Sequence, residues 1–97
     1  MERILCAAIW FDDGEEYAHQ PINVKTGIVM CGYRHGGIFA QTSMKVIERR
    51  NRGMINEEQG FLTSKNRFVD RKEAAKIAFD AVQIEEELVA LYSEDLY

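Results

Sequence analysis

The 97-residue sequence predicts one α+β domain spanning 1–97, a small antiparallel sheet packed with two main helices. Three observations carry that expectation. Residues 3–11 (RILCAAIWF) and 26–33 (TGIVMCGY) place apolar side chains in both alternating sets, as strands covered on both faces do. Residues 34–53, and the segment that follows Asp70, change to apolar spacings of three and four, the period of an amphipathic helix. Turn-forming residues separate these runs, and no stretch of about 18 apolar residues exists to span a membrane.

Along the chain, 3–11 reads as a central strand whose small residues Cys6, Ala7 and Ala8 permit close approach of a neighbour. Asp12, Asp13 and Gly14 signal a turn, and Pro21 marks a loop. The second strand, 26–33, can pair antiparallel with the first across that loop. In 34–53, Ala40, Met44 and Ile47 form one stripe with Phe39 and Val46 beside it, and Gly53 falls where a left-handed stop belongs. Residues 54–59 read as a loop or helix fragment. Residues 60–64 suit a short strand, extended by 67–69 beyond a turn at Lys65 and Asn66. Asp70 followed by Glu73 is an N-cap signature, and Ala74, Ile77, Ala78 and Ala81 line the helix it opens. The segment 85–97 extends this helix or forms an edge segment.

The N-terminus lacks a basic cluster and a cleavage region, so we expect a strand in a cytoplasmic protein rather than a signal peptide. Cys6 and Cys31 lie inside apolar runs and read as reduced, buried thiols; a disulfide would require their strands to pair. Neither has a Cys or His at metal-ligand spacing, and we expect no metal and no cofactor. His19 and His35 sit in no metal or nucleophile motif. The acids Asp12, Asp13, Glu15 and Glu16 lack the EF-hand pattern and read as a solvated loop.

Charge is divided unevenly. The net charge is −4, yet residues 25–79 hold eleven of the twelve Lys and Arg, between two acidic flanks. Either the segments neutralise one another in the fold or across a subunit contact, or the cations line an anion site. Arg67 and Arg71 bracket the N-cap at Asp70, where free N–H groups and the helix dipole favour phosphate. Asn66, Thr63 and Ser64 could add neutral hydrogen bonds there. Asp70 would compete for the same guanidiniums, and pairing with the acidic flanks is the structural alternative. A second cluster is Tyr33, Arg34, His35, Gly36, Gly37 and Phe39, in which glycines admit a ligand to the backbone and Phe39 stacks on a base or fills core.

The block GFLTSKNRFVDRKEAAKIA, with CGYRHGGIFAQ before it and LYSEDLY at the end, resembles a family of small phage-encoded proteins, the first type of Thoeris anti-defence protein. The resemblance implies a non-enzymatic sponge. Such a protein binds the cyclic ADP-ribose isomer made by a bacterial TIR-domain enzyme, or a related cyclic nucleotide or oligonucleotide, and withholds it uncut. It further implies Arg67 and Arg71 as the phosphate grip and Phe39 as the adenine stacker. Homo-oligomers, dimers or larger rings, would carry ligands at subunit contacts. Two other readings stand beside it. One is a nucleic-acid-binding accessory protein using Lys45, Arg49, Arg50 and Arg52, which the acidic total disfavours. The other is an enzyme on a phosphorylated metabolite with His35 as acid or base.

Overall fold

A computed structural model describes residues 1–96 and shows an α+β fold. Strand β1 (Ile4–Asp12) leads to β2 (Ile28–Gly32), helices α1 (His35–Gln41) and α2 (Met44–Asn51), strands β3 (Asn56–Thr63) and β4 (Phe68–Asp70), helix α3 (Arg71–Asp80) and a 3₁₀ turn at Ser93–Asp95. The four strands form one antiparallel sheet in the order β2-β1-β3-β4. Tyr97, the last residue of the closing block, lies outside the described residues.

β1 is central and is covered on both faces, as its continuous apolar run requires. Ala7, Ile9 and Phe11 face the helices and pack with Phe61, Val69, Ile38, Ala74, Ala78 and Leu91. Ala8 and Trp10 face the other way, toward Val24, Val29, Leu62 and Phe68. Ile4 joins the helix-side cluster because the β1–β3 register slips between Ile4 and Cys6. That bulge supplies the extra residue that puts positions 4 and 7 on one face. The loop between β1 and β2 closes the second face. Trp10 Nε1 donates to the Thr26 carbonyl at 2.8 Å, and Asn23 exchanges side-chain hydrogen bonds with both backbone groups of Phe68. Asn23 thus acts as a one-residue strand on the β4 edge.

β2 pairs antiparallel with β1 as expected, but it is an edge strand. Its residues are half-buried and Cys31 is exposed, because no further strand covers them. The expectation of a buried Cys31 is therefore corrected. The helix expected over 34–53 is two helices. Thr42 and Ser43 adopt extended backbone; the Thr42 hydroxyl donates back to the Ile38 carbonyl at 2.7 Å and Ser43 caps α2 through Val46 N. Hydroxyl residues compete for backbone partners in this way, and here they win over the apolar stripe. α2 ends at Gly53, whose φ is 73°, as its position in sequence suggests.

Residues 56–59, read as a loop or helix fragment, are the first half of β3. Their polar side chains conceal a strand that β1 pairs along its whole length. β3 and β4 form the expected hairpin, with Asn66 at φ 58° in its turn. Asp70 caps α3, accepting from Glu73 N at 2.8 Å. Beyond Asp80 the chain neither continues the helix nor adds a strand. It returns to α3, where Leu91 N donates to the Arg71 carbonyl and the Leu91 side chain is fully buried. No helix among the described residues is long and apolar enough to cross a membrane.

Gly36 and Gly37 lie in the first turn of α1, and a Cβ added at either would meet open space. Glycine costs a helix about 0.5–1 kcal/mol relative to alanine. Gly37→Ala should raise stability by that amount in chemical denaturation; a loss would mean that α1 is not helical at Gly37.

Candidate functional site

The nine residues singled out in the sequence separate into three places. The first is the β3–β4 turn. Arg67 forms a bidentate pair with Glu2, both contacts at 2.9 Å, and a third contact with Glu73 at 2.9 Å. Thr63 is buried and donates to Glu2, and Ser64 Oγ accepts from Arg3 N. Asn66 turns the chain, and its carbonyl accepts from Ile22 N. Arg67, Thr63 and Ser64 therefore fasten the N-terminus to the hairpin, and Asn66 ties the hairpin turn to the β1–β2 loop. Hydrogen bonds from Arg67 and then Thr63 bring the Glu2 carboxyl down from 4.5 to about 2.

That pairing has a pH signature. A carboxyl whose folded pKa is depressed contributes stability that is complete above its unfolded value and fades as it becomes protonated. Stability should therefore hold above about pH 5 and decline between 4.5 and about 2, by about 1–2 kcal/mol once solvent screening is allowed for. Glu2→Gln should flatten that part of the profile. An unchanged acid limb in the variant would refute the assignment.

The second place lies on the helix-facing side of β3. Residues 57, 59 and 61 share that side by strand alternation, and Phe61 is in the core. Above Phe61 the row is polar and continuous. Arg50 from α2 pairs with Glu57, Gln59 Nε2 donates to Glu57 at 3.2 Å, and Arg71 donates to Gln59 Oε1 at 2.7 Å. Each guanidinium also covers an aromatic ring. Arg50 Cζ lies 4.9 Å from the Phe39 centroid and Arg71 Cζ 4.5 Å from that of Tyr92. Phe39 meets the core edge-on through Phe11, so one ring serves both packing and the site. Beside it a groove of about 550 Å³ is lined by Phe39, Thr42, Met44, Arg50 and Asn51, within the usual size range of small-molecule sites.

Arg71 differs from Arg67 in its partners. Its second nitrogen donates to the Leu91 carbonyl at 3.0 Å. Among the described residues no carboxylate pairs with it. Two neutral oxygens and a ring orient the guanidinium without cancelling its charge. The two arginines expected to grip together thus point to different partners, because Glu2 and Glu73 claim Arg67.

The third place adjoins the second. His35 is buried at the start of α1; its Nε2 donates to the Gly60 carbonyl at 2.8 Å and its ring stands edge-on to Phe61 at 5.3 Å. Burial holds its pKa below the ordinary value, with Arg71 adding to the effect, against the opposing pull of the Gly60 bond. Arg34 pairs with Glu94 at 3.9 Å, and Gly37 stands outside this cluster in α1. The ion pairs Arg67–Glu2, Arg49–Asp13 and Arg34–Glu94 join the cationic middle to both acidic flanks. Neutralisation within the fold therefore accounts for part of the uneven charge, and Arg71 is among the cations that these pairs leave out.

Over residues 3–97 the sequence matches a family described as phage T4 y16D protein. The chain belongs to the phage T4 y16D protein family. No curated protein and no solved structure shows a significant match to it. The family description assigns no activity, so the functional reading of this y16D protein rests on its site.

Glu57, Gln59 and Tyr92 escaped the sequence reading as a site, and Arg50 entered it only as part of a basic helix face for nucleic acid. Reading 56–59 as a strand would have placed 57 and 59 beside Phe61. Nothing in the spacing of Tyr92 signals its return to Arg71.

Proposed function

We propose that this y16D-family protein is a phage sponge that binds a cyclic ADP-ribose isomer, or a related cyclic nucleotide, and sequesters it uncut in the infected cell, blocking TIR-based Thoeris signalling. The observation that carries the reading is the un-neutralised guanidinium of Arg71, held by Gln59, Leu91 and the Tyr92 ring at the end of a polar row that reaches Arg50 and Phe39. Phosphate oxygens suit a guanidinium fork, and a base suits an aromatic face. Arg71 lies in the block that carries the resemblance to the sponge family. Arg67 has no part in the grip in this reading, since two carboxylates already occupy it.

Sequestration rather than turnover is favoured by the placement of the histidines. His35 is committed to Gly60 and kept neutral by burial, and His19 lies in the β1–β2 loop. The groove is open on one side, where Met44 is exposed, and a second copy of the chain would enclose the ligand there. The test is to incubate the protein with extracts containing candidate cyclic nucleotides, denature it and identify the released molecule by mass spectrometry. Unaltered cyclic nucleotide supports the sponge; a hydrolysed product, or no small molecule, overturns it.

A further inference from the structure

Cys6 and Cys31 are the only cysteines in the chain, and neither is in a disulfide. In the β1–β2 register Ala8 faces Cys31 and Ala7 faces Gly32. Cys6 and Cys31 are therefore diagonal neighbours on the sheet face away from the helices. Diagonal Cα atoms typically lie about 7–8 Å apart, with the side chains closer. Here the two side chains line one small cavity together with Gly32 and Tyr33. β2 is hydrogen-bonded to a strand on one side only, and its pairing with β1 ends at Ala7 and Gly32, before Cys6 is reached. Both features ease the small strand shift that a sulfur–sulfur bond requires.

We propose that Cys6 and Cys31 form a dithiol site that reacts with low-molecular-weight disulfides such as oxidised glutathione and ends as an intramolecular bridge. The exposed Cys31 attacks first. Its thiolate displaces one glutathione thiolate and forms a mixed disulfide. Cys6 then loses its proton to solvent and attacks the Cys31 sulfur. The Cys6–Cys31 bond forms as the second glutathione leaves as a thiolate. Two protein thiols are oxidised and one glutathione disulfide is reduced to two thiols.

The order follows from the two environments. Cys6 is half-buried, and burial followed by the neighbouring Cys31 pushes its thiol up to about 12, so it is a poor first nucleophile. Once Cys31 is capped, its charge no longer opposes ionisation of Cys6. The bridge would pin the end of β2, which passes through Tyr33 and Arg34 into α1 and Phe39.

The test is incubation of the reduced protein with oxidised glutathione, followed by intact mass and thiol alkylation. Wild type should lose two hydrogens, keep no glutathione and resist alkylation at both cysteines. Cys6→Ser should retain one glutathione on Cys31, and Cys31→Ser should stay unmodified over the same period. A lasting glutathione adduct on wild type, two free thiols after exposure, or a bridge between two chains would each overturn the proposal.

Discussion

Gly60→Ala should destabilise the protein by about 3 kcal/mol or more, a large fraction of the about 5–15 kcal/mol by which such a domain is stable. Gly60 stands in β3 opposite Asp70 of β4. A Cβ there would lie 2.1 Å from the Val69 carbonyl oxygen and 2.8 Å from the Phe68 ring. Backbone cannot step aside as a flexible side chain does, so the β4 pairing must open. Opening it disturbs Phe68 and Val69, which belong to the two separate clusters on either side of the sheet. It also moves the Gly60 carbonyl that accepts from buried His35. Urea denaturation followed by circular dichroism measures the effect. A midpoint equal to that of wild type would show that β3 and β4 do not approach as described.

Arg71→Ala should weaken binding of a cyclic ADP-ribose isomer by at least tenfold. Removing one partner of a desolvated charged pair typically costs about 2–5 kcal/mol, and about 1.4 kcal/mol is tenfold. Arg71 also ties Leu91 and Tyr92 to α3, so the variant will lose some stability. Binding must be compared at a temperature where its melting curve shows it folded. Arg71→Lys separates the roles: it keeps the charge but loses the planar fork and part of the ring contact, so it should recover only part of the affinity. Lys76→Ala, further along the exposed side of α3, should bind like wild type. Equal affinities for wild type and Arg71→Ala would place the ligand elsewhere and leave Arg71 as a clasp for the C-terminal segment.

The elements that sequence made legible are those whose pattern coincides with their burial. β1 announced itself through apolar side chains in both alternating sets, and the structure covers both its faces. The cap at Asp70 and the stop at Gly53 were visible because only a few residue types fit each backbone requirement. The start of β3 was hidden for the opposite reason. Glu57 and Gln59 occupy inward positions where apolar residues are expected, and they are tolerated there because Arg50 and Arg71 satisfy them. The same polar row is the candidate site, so the strand and the site were missed together. The break at Thr42 and Ser43 was masked by a helical stripe that runs through it. Among single residues, Arg71 and Phe39 were legible as candidates and Arg50 only as part of a basic helix face, whereas Tyr92 comes from a distant segment that only tertiary packing joins to Arg71.

The central claim is that the protein holds a cyclic ADP-ribose-type nucleotide without altering it. Calorimetric titration of the wild-type chain with the cyclic ADP-ribose isomers, followed by denaturation and mass analysis of the recovered ligand, tests it most directly. Saturable binding of at least one isomer, with that isomer recovered intact, is the predicted result. No saturable heat with any isomer at millimolar concentration, or recovery of linear ADP-ribose in its place, would contradict it.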